Sequence, residues 1–359
     1  MAQIACFPVY ENIEFLSIWM HQAETMGYEV FAGQGMRAYI SQENNSKCIF
    51  LNWFEEVSSE NQASALLEYL KKRYVVKRLQ KKDVKLLFVI HNRQPHENRH
   101  PYLSLLLRKH LCRVSNRIVV LSDKTNQMLR EQLGSNLYDQ IEQKITKLPL
   151  PNYINVYPSS TKYSREKLDI PENIPVFLSV GHVRPYKNIE LILKVASEME
   201  RRRAPGIFVI AGNPISEEYW QKLEKQAQGL SNVRLNKGYV PDSDISSLVD
   251  ICDAMIVPMN TESSINSSEC LLAFSYKKPV IAPRIGTVLE YPEEYNYCYN
   301  YLNQEDHFGQ LLDATLRVVR DHKEGLLSKN GEAMYQAVLV DNGPEAITQA
   351  LEAVLADSK

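Results

Sequence analysis

"VFLSVGHVRPYKNIELILKVASEM", residues 176–199, is the stretch on which the reading of the fold turns. Its first part, "VFLSV", is apolar without alternation, as in a strand buried on both faces. Gly181 then turns the chain, and "IELILKVASEM" repeats its apolar residues at helical spacing. A buried strand feeding a helix is half of a βαβ unit, the building block of parallel α/β sheets. A plain connection would serve that purpose, yet "GHVRPYKN" carries Arg184 and Lys187. In an open parallel sheet, ligands bind where the carboxyl ends of strands meet the starts of helices. Helix starts offer unpaired N–H groups to anions, and an Arg and a Lys add a fork and a point charge for phosphate oxygens. Gly181, Arg184 and Lys187 can thus form a site for phosphate oxygens, while the plainer reading is two cations on a solvated loop.

Working outward, the same alternation runs through the whole chain. "QIACFP", "YEVFAG", "KCIFLNWF", "VKLLFVIHN" and "RIVVLS" read as strands in the first half, with "IEFLSIWMHQAETMG" and "ASALLEYLKKRYVVKRLQ" as helices between them. "VFLSVG", "GIFVIAG", "NVRLNKGYV", "AMIVPM" and "KPVIAP" restart the pattern in the second half. A pattern that runs twice predicts two parallel sheets, and 359 residues suit two domains because single cores rarely grow past ~250 residues. Residues 151–175, rich in Pro, Ser and Asn, mark the seam. The expected division is 1–160, 161–340 and a closing helix at 341–359 that either finishes the second domain or crosses back onto the first.

Composition narrows the function. The formal net charge is −2, from 41 basic and 43 acidic residues, which gives no general attraction to nucleic acid. Cys6, Cys48, Cys112, Cys252, Cys270 and Cys298 are scattered without CxxC or metal-ligand spacing, and read as small core residues in a reducing compartment. No charged leader with an apolar run opens the chain, and no apolar segment approaches the ~18 residues that span a bilayer. A cytoplasmic protein is expected, at most touching the inner face of a membrane, and the Asn-x-Ser matches at Asn44 and Asn266 then carry no weight. No GxGxxG opens either half, which argues against a nicotinamide dehydrogenase.

Two further loops support an anion site. After "AMIVPM", residues Asn266, Ser267 and Ser268 precede a helical run with Glu269 in its first turn. Small polar residues there either cap the helix or, with its N–H groups, hold a diphosphate. "PRIGTVLEY" again ends a strand with a glycine, Gly286, followed by Thr287 and Glu290, a carboxylate able to accept from sugar or ribose hydroxyls.

From "VFLSVGHVRPYKNIELIL" through "GIFVIAGNP", "NVRLNKGYVPDSDISSLVDICDAMIVP" and "LLAFSYKKPVIAPRIGTVLE", the second half resembles the donor-binding domain of GT-B glycosyltransferases, specifically family 4. The resemblance implies two Rossmann-like doubly wound domains facing a cleft, with a nucleotide diphosphate sugar of UDP or GDP type as substrate and no cofactor or metal. It assigns Arg184 and Lys187 to the donor diphosphate. It also places Gly212, Gly238, Tyr239, Val240, Glu269, Gly286, Thr287 and Glu290 about the nucleotide or sugar. Most of that family carries two glutamates eight residues apart. Those positions fall on Ser264 and Leu272, while Glu262 and Glu269 stand out of register, so the chain is similar to a subgroup with a serine-rich helix start.

The first half is a weaker match. "VIHNRQPHE", residues 89–97, ends a strand with His91, His96 and Glu97 as candidates for a base or a hydrogen-bond partner of the sugar, where related enzymes bring a histidine toward the donor. Arg93, Arg99, Arg108, Lys109 and Arg113 are expected on a solvated face, or facing an anionic acceptor such as a lipid-linked pyrophosphate at a membrane. The expected activity is sugar transfer from a nucleotide sugar to a hydroxyl acceptor, lipid-linked or a growing glycan. A nucleotide-sugar epimerase of the same shape and a catalytically degenerate partner subunit are the alternatives.

Overall fold

The computed structural model describes residues 2–7, 13–32, 46–95 and 99–356. The chain divides into two units: Met1–Pro151 with Glu262–Asn266 and Asn342–Lys359, and Asn152–Thr261 with Ser267–Asp341. The first residues of the seam, 152–160, thus group with the second unit, and the closing helix groups with the first.

In the first unit, β1 (Gln3–Phe7), β2 (Glu29–Ala32), β3 (Cys48–Asn52), β4 (Lys85–Ile90), β5 (Arg117–Val120) and β6 (Ile145–Lys147) form a parallel sheet in the order β2-β1-β3-β4-β5-β6. β3 and β4 register Leu51 opposite Phe88, and both strands are buried along nearly their whole length. That is why they are apolar without alternation. α1 (Glu14–Thr25), α2 (Gln62–Lys81), α3 (Pro101–Val114), α4 (Asp123–Leu133) and α5 (Ser135–Ile141) complete the βα units. Asn61 caps α2 by accepting from the Ser64 amide at 2.9 Å, and α2 lays Val75, Val76 and Leu79 on the core beside Leu86 and Phe88.

In the second unit the order is β12-β11-β10-β7-β8-β9, from β7 (Val176–Val180), β8 (Ile207–Gly212), β9 (Val233–Lys237), β10 (Ala254–Ile256), β11 (Val280–Pro283) and β12 (Tyr297–Tyr299). The run "IELILKVASEM" becomes α6 (Ile189–Arg201), which buries Ile189, Ile192, Leu193 and Ala196. α7 (Glu217–Ala227), α8 (Asp242–Asp250), α9 (Ser268–Ser275), α10 (Gly286–Leu289), α11 (Gln304–Lys323) and α12 (Leu327–Asp341) follow. The final helix, α13 (Pro344–Leu355), packs in the first unit on α1, where Gln22 donates to the Thr348 hydroxyl at 2.6 Å.

The expected α/β architecture with two parallel sheets is what the chain adopts. Sequence reading missed β6 and β12, each a short strand at a sheet edge with too few residues to show a period. Five of the cysteines are buried and Cys298 is half-buried, all as free thiols. Burial pushes Cys6, Cys112 and Cys252 up to about 12.

Candidate functional site

β7 opens the second sheet, with β8 on one side and β10 on the other, so the chain reverses direction across the sheet between β7 and β10. Connections leaving such neighbours go to opposite faces and part at the strands' carboxyl ends, which leaves a crevice. The turn after β7 and the start of α9 after β10 meet there. Lys187, 8% exposed, forms an ion pair with Glu269 across that junction. Burial alone would drive the Lys187 ammonium below its ordinary value, but Glu269 and Tyr186 outweigh it and hold it above. Gly181 has φ +113, and a Cβ there would lie 3.3 Å from Lys187 Nζ and 3.4 Å from Glu269 Oε1. The missing side chain leaves both charges room.

Backbone hydrogen bonds fix this turn. Asn188 takes the left-handed conformation at φ 53 and donates from Nδ2 to the Pro258 carbonyl at 2.7 Å, while the Asn260 amide donates to the Tyr186 carbonyl at 2.9 Å. On the other side, Val183 N–H donates to the Asn213 carbonyl at 2.9 Å, and Gly238 N–H to the Gly212 carbonyl at 3.0 Å. Gly212 approaches so closely that a Cβ would sit 1.6 Å from the Gly181 carbonyl oxygen. Three of the predicted glycines, 181, 212 and 238, thereby line the ends of the adjacent strands β7, β8 and β9.

Arg184 lies half-buried at the start of the same turn, and His182 is held below its ordinary pKa by burial first and then by Lys187 and Arg184. No side chain caps α9 at Ser267, whose amide donates to Thr287 Oγ1 on α10 at 2.8 Å. The first-turn N–H groups of a helix have no intrahelical partner, so α9 presents donors and its positive end beside Lys187. Gly286 and Thr287 are buried, Glu290 is half-buried at the end of α10, Tyr239 is exposed and Val240 is buried.

The first unit holds a separate constellation. His91 follows β4, buried, with Nε2 2.9 Å from Asn52 Oδ1 at the end of β3. Asn52 donates its amide to Cys6 Sγ on β1, so its oxygen faces the histidine, Nε2 carries the proton and Nδ1 the lone pair. Trp53 stacks on the imidazole at 3.9 Å between ring centroids. Burial lowers the His91 pKa to about 3, so it is neutral at physiological pH. A base with so low a pKa takes a proton poorly near neutrality, whereas its lone pair still accepts a hydrogen bond.

Side chains hold the three successive carbonyls that begin at His91. Asn266 Nδ2 donates to the His91 carbonyl at 3.2 Å and to Thr125 Oγ1 at 3.0 Å. Arg108 donates to the Asn92 carbonyl at 2.9 Å and the Arg93 carbonyl at 2.6 Å, and pairs with Glu55 at 2.9 Å. Asn266 therefore spends its amide in the first unit, where its neighbour Ile265 joins the core. The solvated face expected for Arg108 is corrected: it is 3% exposed, because α3 turns it onto those carbonyls. Arg93 is half-buried, 3.6 Å from Glu131, while Arg99 and Arg113 are exposed and Lys109 is half-buried. A cavity of about 290 Å³ adjoins this clamp, lined in part by Glu55, Arg108, Gln132, Tyr102 and Leu105. His96 and Glu97 lie outside the described residues. Sequence reading missed Asn52, Glu55 and Arg108 as partners of the 91–94 loop. Its one available signal was polar residues at strand ends in "FLNWFEE".

Among the comparisons with known proteins, the family model falls on the second half of the chain. Residues 160–313 match the family model described as glycosyl transferases group 1. GDP-mannose:glycolipid 4-beta-D-mannosyltransferase of Xanthomonas campestris is 26% identical over 148 residues, 41% of this chain and 41% of that protein. The match thus spans about two fifths of the relative's length. The whole fold is shared with sucrose-phosphate synthase of Thermosynechococcus elongatus, at TM-score 0.76 and 14% identity over 99% of both chains. HepE of Anabaena, solved with UDP-glucose, superposes at TM-score 0.69 and 15% identity over 99% of this chain and all of that one. The matched segment, 160–313, contains Gly181, Arg184, Lys187, Glu269 and Thr287, the residues that the switch point of the second sheet gathers.

Proposed function

We propose that the chain is a glycosyltransferase that moves a sugar from a nucleotide diphosphate sugar to a hydroxyl of a glycan or glycolipid acceptor. The observation that carries this is the buried Lys187–Glu269 pair at the β7–β10 switch point, inside the segment that matches the group 1 family. The mannosyltransferase relative, named for a nucleotide-sugar donor and a glycolipid acceptor, supports the substrate class.

Charge arithmetic shows how the site would work. Lys187 and Arg184 bring two positive charges, Glu269 one negative, and the diphosphate about two more. The positive end of α9, equivalent to roughly half a charge, reduces what remains. Holding the leaving diphosphate among fixed cations and N–H donors lowers the barrier to its departure, the role a metal plays elsewhere. In this reading transfer needs no metal or cofactor. In the first unit, Nε2 of His91 is committed to Asn52 and its pKa is lowered to about 3, so in this reading His91 serves as a hydrogen-bond partner for a hydroxyl and another group moves the proton. Gly212, Gly238, Tyr239 and Val240 would take the nucleotide, with Thr287 and Glu290 near the sugar.

Thermal unfolding with UDP and with GDP, followed by transfer assays across nucleotide sugars with and without EDTA, tests the proposal. One nucleoside diphosphate should stabilise the wild type, and EDTA should leave transfer intact. Arg184→Ala should weaken that binding by on the order of 2 kcal/mol. Absence of stabilisation by either nucleotide, together with no turnover of any nucleotide sugar, would refute it.

A further inference from the structure

The solvent face of α2 is not what a surface helix normally shows. Helices of globular proteins bury one apolar stripe and keep the opposite face polar. α2 buries Ala65, Val75, Val76 and Leu79, yet on the far side Leu66, Leu67, Leu70 and Tyr74 are 49%, 56%, 50% and 58% exposed. Leu66, Leu70 and Tyr74 follow i, i+4 spacing and so form one continuous apolar ridge. A single exposed leucine needs no explanation, whereas a ridge of this kind marks a surface that something covers.

Charge identifies the covering surface. Glu68 is the only acid in α2, against Lys71, Lys72, Arg73, Lys77, Arg78 and Lys81, and it is paired with Lys72 at 3.0 Å. Among the described residues none of Lys71, Lys77, Arg78 and Lys81 pairs with a carboxylate. Lys77 and Lys81 continue the line of the ridge toward the C-terminal end, on the same side as Tyr74. The basic surface extends onto the neighbouring α3, where Arg113 is exposed and where burial first, then Arg73 of α2 and Arg113, hold His110 below its ordinary pKa. A second copy of the chain laid on this face would set cation against cation. A lipid surface bearing negative charge satisfies both halves: leucines enter the acyl boundary while long cationic side chains reach the headgroups.

We propose that α2 is a membrane-docking helix, lying in the plane of an anionic lipid surface with Leu66, Leu67, Leu70 and Tyr74 inserted and Lys77, Arg78 and Lys81 on the headgroups. The surface belongs to the first unit alone and does not rest on the transfer reaction.

Co-sedimentation with vesicles of phosphatidylcholine, and of phosphatidylcholine mixed equally with phosphatidylglycerol, tests this on the full chain without donor. The wild type should partition onto the anionic vesicles at least ~10-fold more strongly, since each cation near such a surface contributes about fivefold at low salt. Leu67→Ser with Leu70→Ser, and separately Lys77→Glu with Lys81→Glu, should each reduce partition about tenfold or more. Both pairs are exposed, and an unchanged circular dichroism spectrum and melting temperature would show that the fold survives. Equal binding to both vesicles, no binding, or unaffected variants would overturn the proposal. So would a wild-type dimer that the leucine variants convert to monomer without any vesicle binding. Nucleotide stabilisation is read separately, so failure here leaves the transferase reading standing, and the reverse.

Discussion

Lys187 and Glu269 lie 82 positions apart and meet through the crossing of two βα loops. Removing one member of a buried ion pair strands the other, which costs about 3–5 kcal/mol, more than the pair itself contributes. Lys187→Met should therefore lower the unfolding free energy by about that much, and Lys187→Met with Glu269→Gln should recover most of the loss, as read by denaturant unfolding. Diphosphate affinity should follow a different course, staying low in the double variant because the cation is still missing. If the double variant instead bound nucleotide as well as the wild type, Lys187 would have no part in holding the diphosphate. The sequence displayed both residues and the family resemblance placed each near the donor, but their pairing was not legible. Nothing local in "GHVRPYKN" or "SSECLL" specifies a contact set by which strands neighbour β7. Arg108 shows the same limit: "LLLRKHLCR" reads as a cationic face until the helix is rotated against the carbonyls of Asn92 and Arg93.

Among elements, those with long uninterrupted apolar runs were legible and those set by their neighbours were not. β3, β4, β7 and β8 are buried on both faces and announce themselves, while β6 and β12, three-residue strands at the sheet edges, are too short to show a period. α12 illustrates packing that composition hides. Gly331 sits in mid-helix, where a glycine usually weakens the helix by ~1 kcal/mol relative to alanine. Its Cα faces the tight turn after α9, and a Cβ would come within 1.8 Å of the Lys277 carbonyl oxygen. Propensity and packing thus oppose each other at one residue, and contact at that distance outweighs the gain in propensity. Gly331→Ala should destabilise the protein by about 1–3 kcal/mol, the usual range for overpacking. A higher melting temperature in that variant would show that α12 can shift away from the turn.

For the molecule as a whole, two buried histidines, one in each unit, set its response to acid. His91 is lowered to about 3 by burial and stacks on Trp53, and His307 is lowered to about 4 by burial and stacks on Tyr301 at 3.8 Å. Each imidazole is buried against an aromatic ring, and for His307 the nearby Asp306 offsets only part of the effect of burial. An unfolded chain protonates both near pH 6.5, and the folded chain does not until about pH 3 or 4. Between those values the unfolded state binds more protons, so stability rises with pH and falls as pH drops below 6.5. The loss approaches 1.4 kcal/mol per pH unit for each histidine. Paired carboxylates such as Glu68, whose pKa is held down by Ser59 and Lys72 against the effect of burial, act in the same direction at lower pH. Urea midpoints measured from pH 7.5 to 4.5 should therefore decline steeply from about 6.5 downward. His307→Gln removes one titrating group while keeping a partner for the Tyr299 hydroxyl, which lies 2.9 Å from His307 Nε2. It should flatten that decline even if it lowers stability at neutral pH. An unchanged slope in this variant would mean that His307 protonates without unfolding the protein, and that its buried site against Tyr301 admits water or an anion.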